Sequence, residues 1–200
     1  MGSQTTGAKD GRTVRAERTR QALVDALFAL LDEGELRPTA ERIAKRAGVS
    51  ERSVFQHFPD REALFEAVAR QQYERVFSRL EPVDPSRPLP ERIDAFVAQR
   101  SRLLEESSSL RQAAILLEHD SEVVAGWLDS WRRAAATEVE RVFSPELEGR
   151  ERGDRAVLLG ALVSAASGPM WEGYRLHQRM SAERARAAMR RTLAALLGER

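Results

Sequence analysis

The sequence predicts an all-α protein of about nine helices, with a three-helix N-terminal head carrying a helix-turn-helix and a larger C-terminal helical body. Three observations predict it. Alanine, leucine, arginine and glutamate, all strong helix formers, fill every long segment. The period-2 alternation of a half-buried strand is absent. Glycine, proline and cap residues cut the chain into nine stretches of helical length.

The elements follow in order. Residues 15–32 form the first helix, with Leu23, Leu27, Leu30 and Leu31 on one stripe. Residues 39–47 and 51–58 are two short helices. The fourth, 60–80, carries Leu64, Phe65 and Val68. Residues 81–90 then hold Pro82, Pro85, Pro88 and Pro90, half of the chain's 8 prolines, and must be a loop because proline removes donors and disfavours helix before it. Further helices are expected near 90–106, 109–119, 121–143, 153–178 and 181–198. Ser144-Pro145 and Glu148-Gly149 mark a loop, and Pro169 should kink the helix that contains it.

Composition narrows the class. With 42% hydrophobic and 32% charged residues in 200, the chain can bury a core and is not a disordered polymer. It contains no cysteine, which excludes disulfides, thiolate metal sites and thiol nucleophiles. No apolar run approaches the ~20 residues that cross a bilayer. Met1–Gly11 lacks the apolar centre of a secretory signal, so a cytoplasmic protein with a disordered tail over 1–11 is expected. The head is placed at 12–60 and the body at 61–200. Net charge is only +1, so any basic footprint is local: Arg12, Arg15, Arg18 and Arg20 face only Glu17.

The informative stretch runs from Thr39 to Phe58. Thr39 is placed to cap the second helix with its hydroxyl. Ile43, Ala44 and Ala47 share one face, and the two alanines allow a second helix to cross closely. Gly48 falls where that helix must end in a left-handed residue. Ser50 caps the next helix, Val54 and Phe58 point inward, and Asp60 caps the fourth. Two short helices about a glycine turn make a helix-turn-helix. Its second helix lies in the major groove of DNA. Ser50, Arg52, Ser53, Gln56 and His57 face outward; Arg52 suits guanine and Gln56 adenine.

From Arg18 to Val68 the sequence resembles the tetracycline-repressor-like (TetR) regulators. The resemblance rests on Thr39, Ile43-Ala44, Ala47-Gly48-Val49-Ser50 and above all Val54-Phe55-x-His57-Phe58-x-x-Arg61-x-x-Leu64. It implies an all-helical subunit, a dimer built on the last two helices, a double-stranded DNA operator, and a body that binds a small apolar or amphipathic molecule. It also implies phosphate contacts from Thr39, His57 and Arg61 and groove contacts from Arg52 and Ser53. Arg18 joins the DNA-facing set at the basic start of the first helix. Phe55 stands where the family usually has tyrosine, so only packing or a thymine-methyl contact is open to it.

The expected dimer residues are Leu158, Leu162, Ala165, Met189, Leu193 and Leu196, from two apolar, small-residue stripes. The expected pocket residues are Phe96, Leu104, Leu116, His119, Trp127, Trp131, Met170, Trp171 and Tyr174. Glu118 and Asp120 flank His119 but point elsewhere on a helix, so no metal site is expected. No catalytic motif and no cofactor fingerprint is present, so an enzyme is not expected. The resulting expectation is a ligand-released repressor on a pseudo-palindromic operator. An activator, or an architectural DNA-binding protein without small-molecule control, is the alternative.

Overall fold

A computed structural model describes residues 6–198. Among them the chain is helical throughout, with eleven α-helices and one π-helical turn. They are α1 (Thr6–Asp32), α2 (Ala40–Ala47), α3 (Glu51–His57), α4 (Arg61–Phe77), α5 (Leu89–Glu106), α6 (Ser108–Leu117), α7 (Glu122–Val142), α8 (Ser144–Leu147), α9 (Arg152–Ala165), α10 (Gly168–Glu172), the π turn (Gly173–His177) and α11 (Ala182–Leu197).

Three departures from the sequence reading have physical causes. The tail expected over 1–11 falls partly on 1–5, outside the described residues, but 6–11 are helical. Once α1 is nucleated on its core, each further residue adds a hydrogen bond without a new nucleation cost, and this stretch holds no proline. The loop expected at Ser144-Pro145 is a short helix, with Pro145 in its first turn, where its missing N–H costs nothing. Pro169 does not kink a continuous helix. The helix stops at Ala165, Ser167 accepts a hydrogen bond from the Met170 N–H, and Pro169 opens α10.

The described residues divide into two compact units. One comprises the chain up to Arg75 together with Ser109–Gly126; the other comprises Val76–Ser108 and 127–198. In the first, α1 packs on α2 and α3. Its buried residues include the α1 stripe of Leu23, Leu27, Leu30 and Leu31, with Ile43, Val54, Phe58, Leu64 and Val68. In the second, α11 packs on α5 and α9, and α10 packs on α5. Its core gathers Ile93, Phe96, Val142, Phe143, Leu162, Trp171, Met189 and Leu193. The divisions fall inside α4 and α7 and after the first residue of α6.

Gly48 holds the first unit's turn. Its φ of 70° and ψ of 30° are left-handed, and its N–H closes on the Ala44 and Lys45 carbonyls. A Cβ there meets nothing within 4 Å. The cost of Gly48→Ala is therefore conformational and should be about 1 kcal/mol. A lowered urea midpoint with an unchanged m-value checks it.

Candidate nucleic-acid interface

The turn around Gly48 is closed by side chains on both sides. Thr39 Oγ1 accepts from the Arg42 N–H at 3.2 Å, Ser50 Oγ from the Ser53 N–H at 3.3 Å, and Asp60 Oδ1 from the Ala63 N–H at 2.7 Å. These three bonds satisfy first-turn amides of α2, α3 and α4. Val54 and Phe58 anchor α3 from within, at 5% and 1% exposure.

The outer edge of α3 is open. Arg52, Phe55 and Gln56 are exposed, and Ser53 and His57 are half-buried beside them. Thr39, Ser50 and Arg61 are also exposed, as is Arg18 on α1. Each capping hydroxyl uses its oxygen as acceptor and keeps its hydrogen to donate, which is what a phosphate requires. Phe55, at 55% exposure, is a large apolar ring facing outward among polar neighbours.

Sequence reasoning missed the brace behind this edge. Arg20 of α1 donates from Nη1 to the His57 carbonyl at 3.1 Å, and its guanidinium carbon lies 4.2 Å from the Phe58 ring centroid. It thus satisfies a C-terminal carbonyl of α3 and covers an aromatic face. The available signal was its place three and four residues before Leu23 and Val24, at the rim of the α1 stripe. Arg42 and Arg46 of α2 are likewise committed. Arg46 forks onto Glu33 at 2.6 and 2.9 Å, and Arg42 bonds Glu35 at 3.0 Å. The hydrogen bond from Arg46, and then its charge, hold the Glu33 carboxyl below the usual carboxylate range. The acids at the end of α1 therefore fasten α2.

The body residues expected from sequence separate. A cavity of about 100 Å³ within the second unit is lined by Leu80, Val83, Phe96, Gln99, Arg100, Leu103, Trp131, Ala134, Ala135 and Glu138. Of the expected pocket set, Phe96 and Trp131 line it. Trp127 lies against Trp131 in a tilted pair, ring centroids 5.3 Å apart and planes at 49°, but is not in the cavity wall. Leu104 and Tyr174 are core, and Trp171 is fully buried with its Nε1–H donating to Glu105 at 2.8 Å. Met170 is exposed. Leu116 and His119 are exposed and belong to the first unit.

The dimer set divides too. Leu162, Ala165, Met189 and Leu193 are at most 3% exposed inside the single chain, so they fill its own core. Leu158 and Leu196 remain half-buried. The uncovered face of α9 is instead Val157, Gly160 and Ser164, spaced three and four apart.

A rigid helix-turn-helix with an open polar recognition helix, set in an all-helical chain, defines a DNA-binding transcriptional regulator. The family model described as bacterial regulatory proteins, tetR family, matches residues 23–68. The HTH-type transcriptional repressor Rv1474c of Mycobacterium tuberculosis is 30% identical over 166 residues, which cover 76% of this chain and 84% of that protein. The chain belongs to the TetR family. Among solved structures, a transcriptional regulator of Rhodococcus sp. Rha1 superposes with a TM-score of 0.68 at 20% identity, covering 92% of this chain and 96% of that one. SmeT in complex with triclosan superposes with a TM-score of 0.55 at 22% identity, covering 88% and 90%. The family is regulatory rather than enzymatic. Among the described residues no helix is long and apolar enough to cross a membrane.

Proposed function

We propose that this regulator is a homodimeric repressor, released from a pseudo-palindromic operator when a small molecule enters its body. The observation that carries the DNA half is the open edge of α3, with Arg52, Phe55 and Gln56 exposed while Val54, Phe58 and the Arg20 brace hold the helix from behind. Arg52 and Gln56 read base edges; Arg18, Thr39, Ser50, His57 and Arg61 grip phosphates, with Ser53 and Phe55 packed between. Residues 12–60, with Arg61 at the start of α4, supply the DNA contacts, and the rest of 61–200 the effector and dimer contacts.

Two features support the rest. Val157, at 75% exposure, with Gly160 and Ser164 forms a narrow, small-residue face on which a second α9 packs closely, and Leu158 and Leu196 flank it. The cavity beneath α5 and α7 gives an effector a place, as triclosan has one in SmeT. An effector acts only through its different affinity for the operator-bound and released conformations.

Footprinting on the DNA flanking the chain's own gene tests the reading. The expected result is salt-sensitive protection of two half-sites about 34 Å apart, on one face of the duplex. Equal affinity for random and flanking DNA would favour the architectural alternative, and a monomer by sedimentation would remove the dimer.

A further inference from the structure

Two arginines of α5 lie on its buried side, and their surroundings differ. Every side-chain nitrogen of Arg92 has a partner. Its Nε donates to the Arg87 carbonyl at 2.8 Å, Nη1 to the Val142 carbonyl at 2.9 Å, and both terminal nitrogens to Glu146. Arg100 is 7% exposed, yet among the described residues its one hydrogen bond runs from Nη2 to the Ala135 carbonyl at 3.2 Å. A guanidinium carries five N–H donors. Arg100 lines the cavity, and its other donors meet no protein acceptor among the described residues.

The carboxylate nearest to hand does not complete it. Glu138 lines the same cavity but is held by Arg141 at 2.9 and 3.3 Å. Burial pushes the Arg100 guanidinium down to about 10, against the opposing charge of Glu138, so it stays a cation at neutral pH. The guanidinium carbon also lies 5.1 Å from the Phe96 ring centroid, which offsets part of the burial. A buried cation with one hydrogen bond remains costly, and an anion that enters and pairs with it recovers that cost. Gln99 also lines the cavity, its Nε2 donating to the Glu81 carbonyl, and the rest of the wall is apolar: Leu80, Val83, Phe96, Leu103, Trp131 and the two alanines.

We propose that this cavity binds a small monocarboxylic acid, its carboxylate forked onto the Arg100 guanidinium and its apolar body against Phe96, Leu103 and Trp131. The inference rests on the reading that the body receives an effector, and it names that effector's chemical class. Size and charge select it. A cavity of roughly 150 Å³ holds a benzene ring, so this one, at about 100 Å³, takes a short chain as it stands and must widen to take a ring. A phosphate dianion is disfavoured, because one arginine faces it, Glu138 repels it, and no other cation lines the wall. A neutral apolar molecule would leave the guanidinium donors unmet.

Calorimetry on the full chain with benzoate, phenylacetate and hexanoate, each beside its amide, tests the proposal. At least one acid should bind with Kd near or below about 1 mM, and about tenfold or more tighter than its amide. The same acid should raise Tm where the amide does not, a reading that needs no variant. Arg100→Met should abolish the preference for acid while the chain keeps its helical circular dichroism. Equal binding of acids and amides, no acid binding at about 10 mM, or an undiminished preference in Arg100→Met overturns it. Footprinting of the same preparation separates the two readings. Protected operator without acid binding sinks this inference alone; acid preference without any operator sinks the repressor and leaves the site.

Discussion

An Arg52→Ala chain is expected to lose about 1–3 kcal/mol of operator binding per half-site, at least about 30-fold over a palindrome read twice. The loss should be confined to specific DNA. Arg52 stands exposed on the open edge of α3, one position inside the capped start of the helix, and under the proposed function its bidentate fork is the group that reads guanine. A phosphate contact behaves differently. Arg18→Ala should weaken all sequences alike and lower the salt slope by about one. Competition titrations with operator and random duplex at two salt concentrations distinguish the two. Parallel losses on both duplexes would place Arg52 on phosphate instead.

The second large effect concerns stability. Arg92→Met should cost about 3–5 kcal/mol, because it strands Glu146 in a largely buried setting. The Arg92 and Glu146 side chains are only 4% and 17% exposed. Arg92 also satisfies the last carbonyl of α7, at Val142, and places a cation at that helix's C-terminus. For a chain of this length the loss corresponds to a fall in Tm of roughly 10 °C. Arg92→Met combined with Glu146→Met should recover a large part of it, since the second change removes the stranded carboxylate. Additive losses in the double variant would mean that the pair is not coupled.

These two arginines show where sequence reading stops. Arg52 was legible because Ser50, Gly48 and Val54 fix its place on the helix within one turn in either direction. Arg92 and Arg100 carried a signal of the same kind: each falls on the stripe of Ile93, Phe96, Val97, Leu103 and Leu104. A charge on an apolar stripe states that it is buried. It does not state what meets it, because Glu146 lies 54 residues away and the Ala135 carbonyl 35. The same distance problem misplaced Trp171 and Tyr174, whose aromatic spacing fits a core and a cavity wall equally well. It also placed Leu162 and Met189 at a dimer face when α5, α9 and α11 cover them within one chain.

What residue order alone determined was the helical class, the capped turn at Thr39, Gly48 and Ser50, and the outward ridge of α3. Each depends on backbone preferences and hydrogen bonds spanning three or four residues. Only the packed chain decided which apolar stripes are core, that Pro169 begins a helix, that Arg20 braces α3 and that Arg100 borders a cavity. Burial belongs to whichever distant element happens to cover a face, and periodicity records the face without recording its cover.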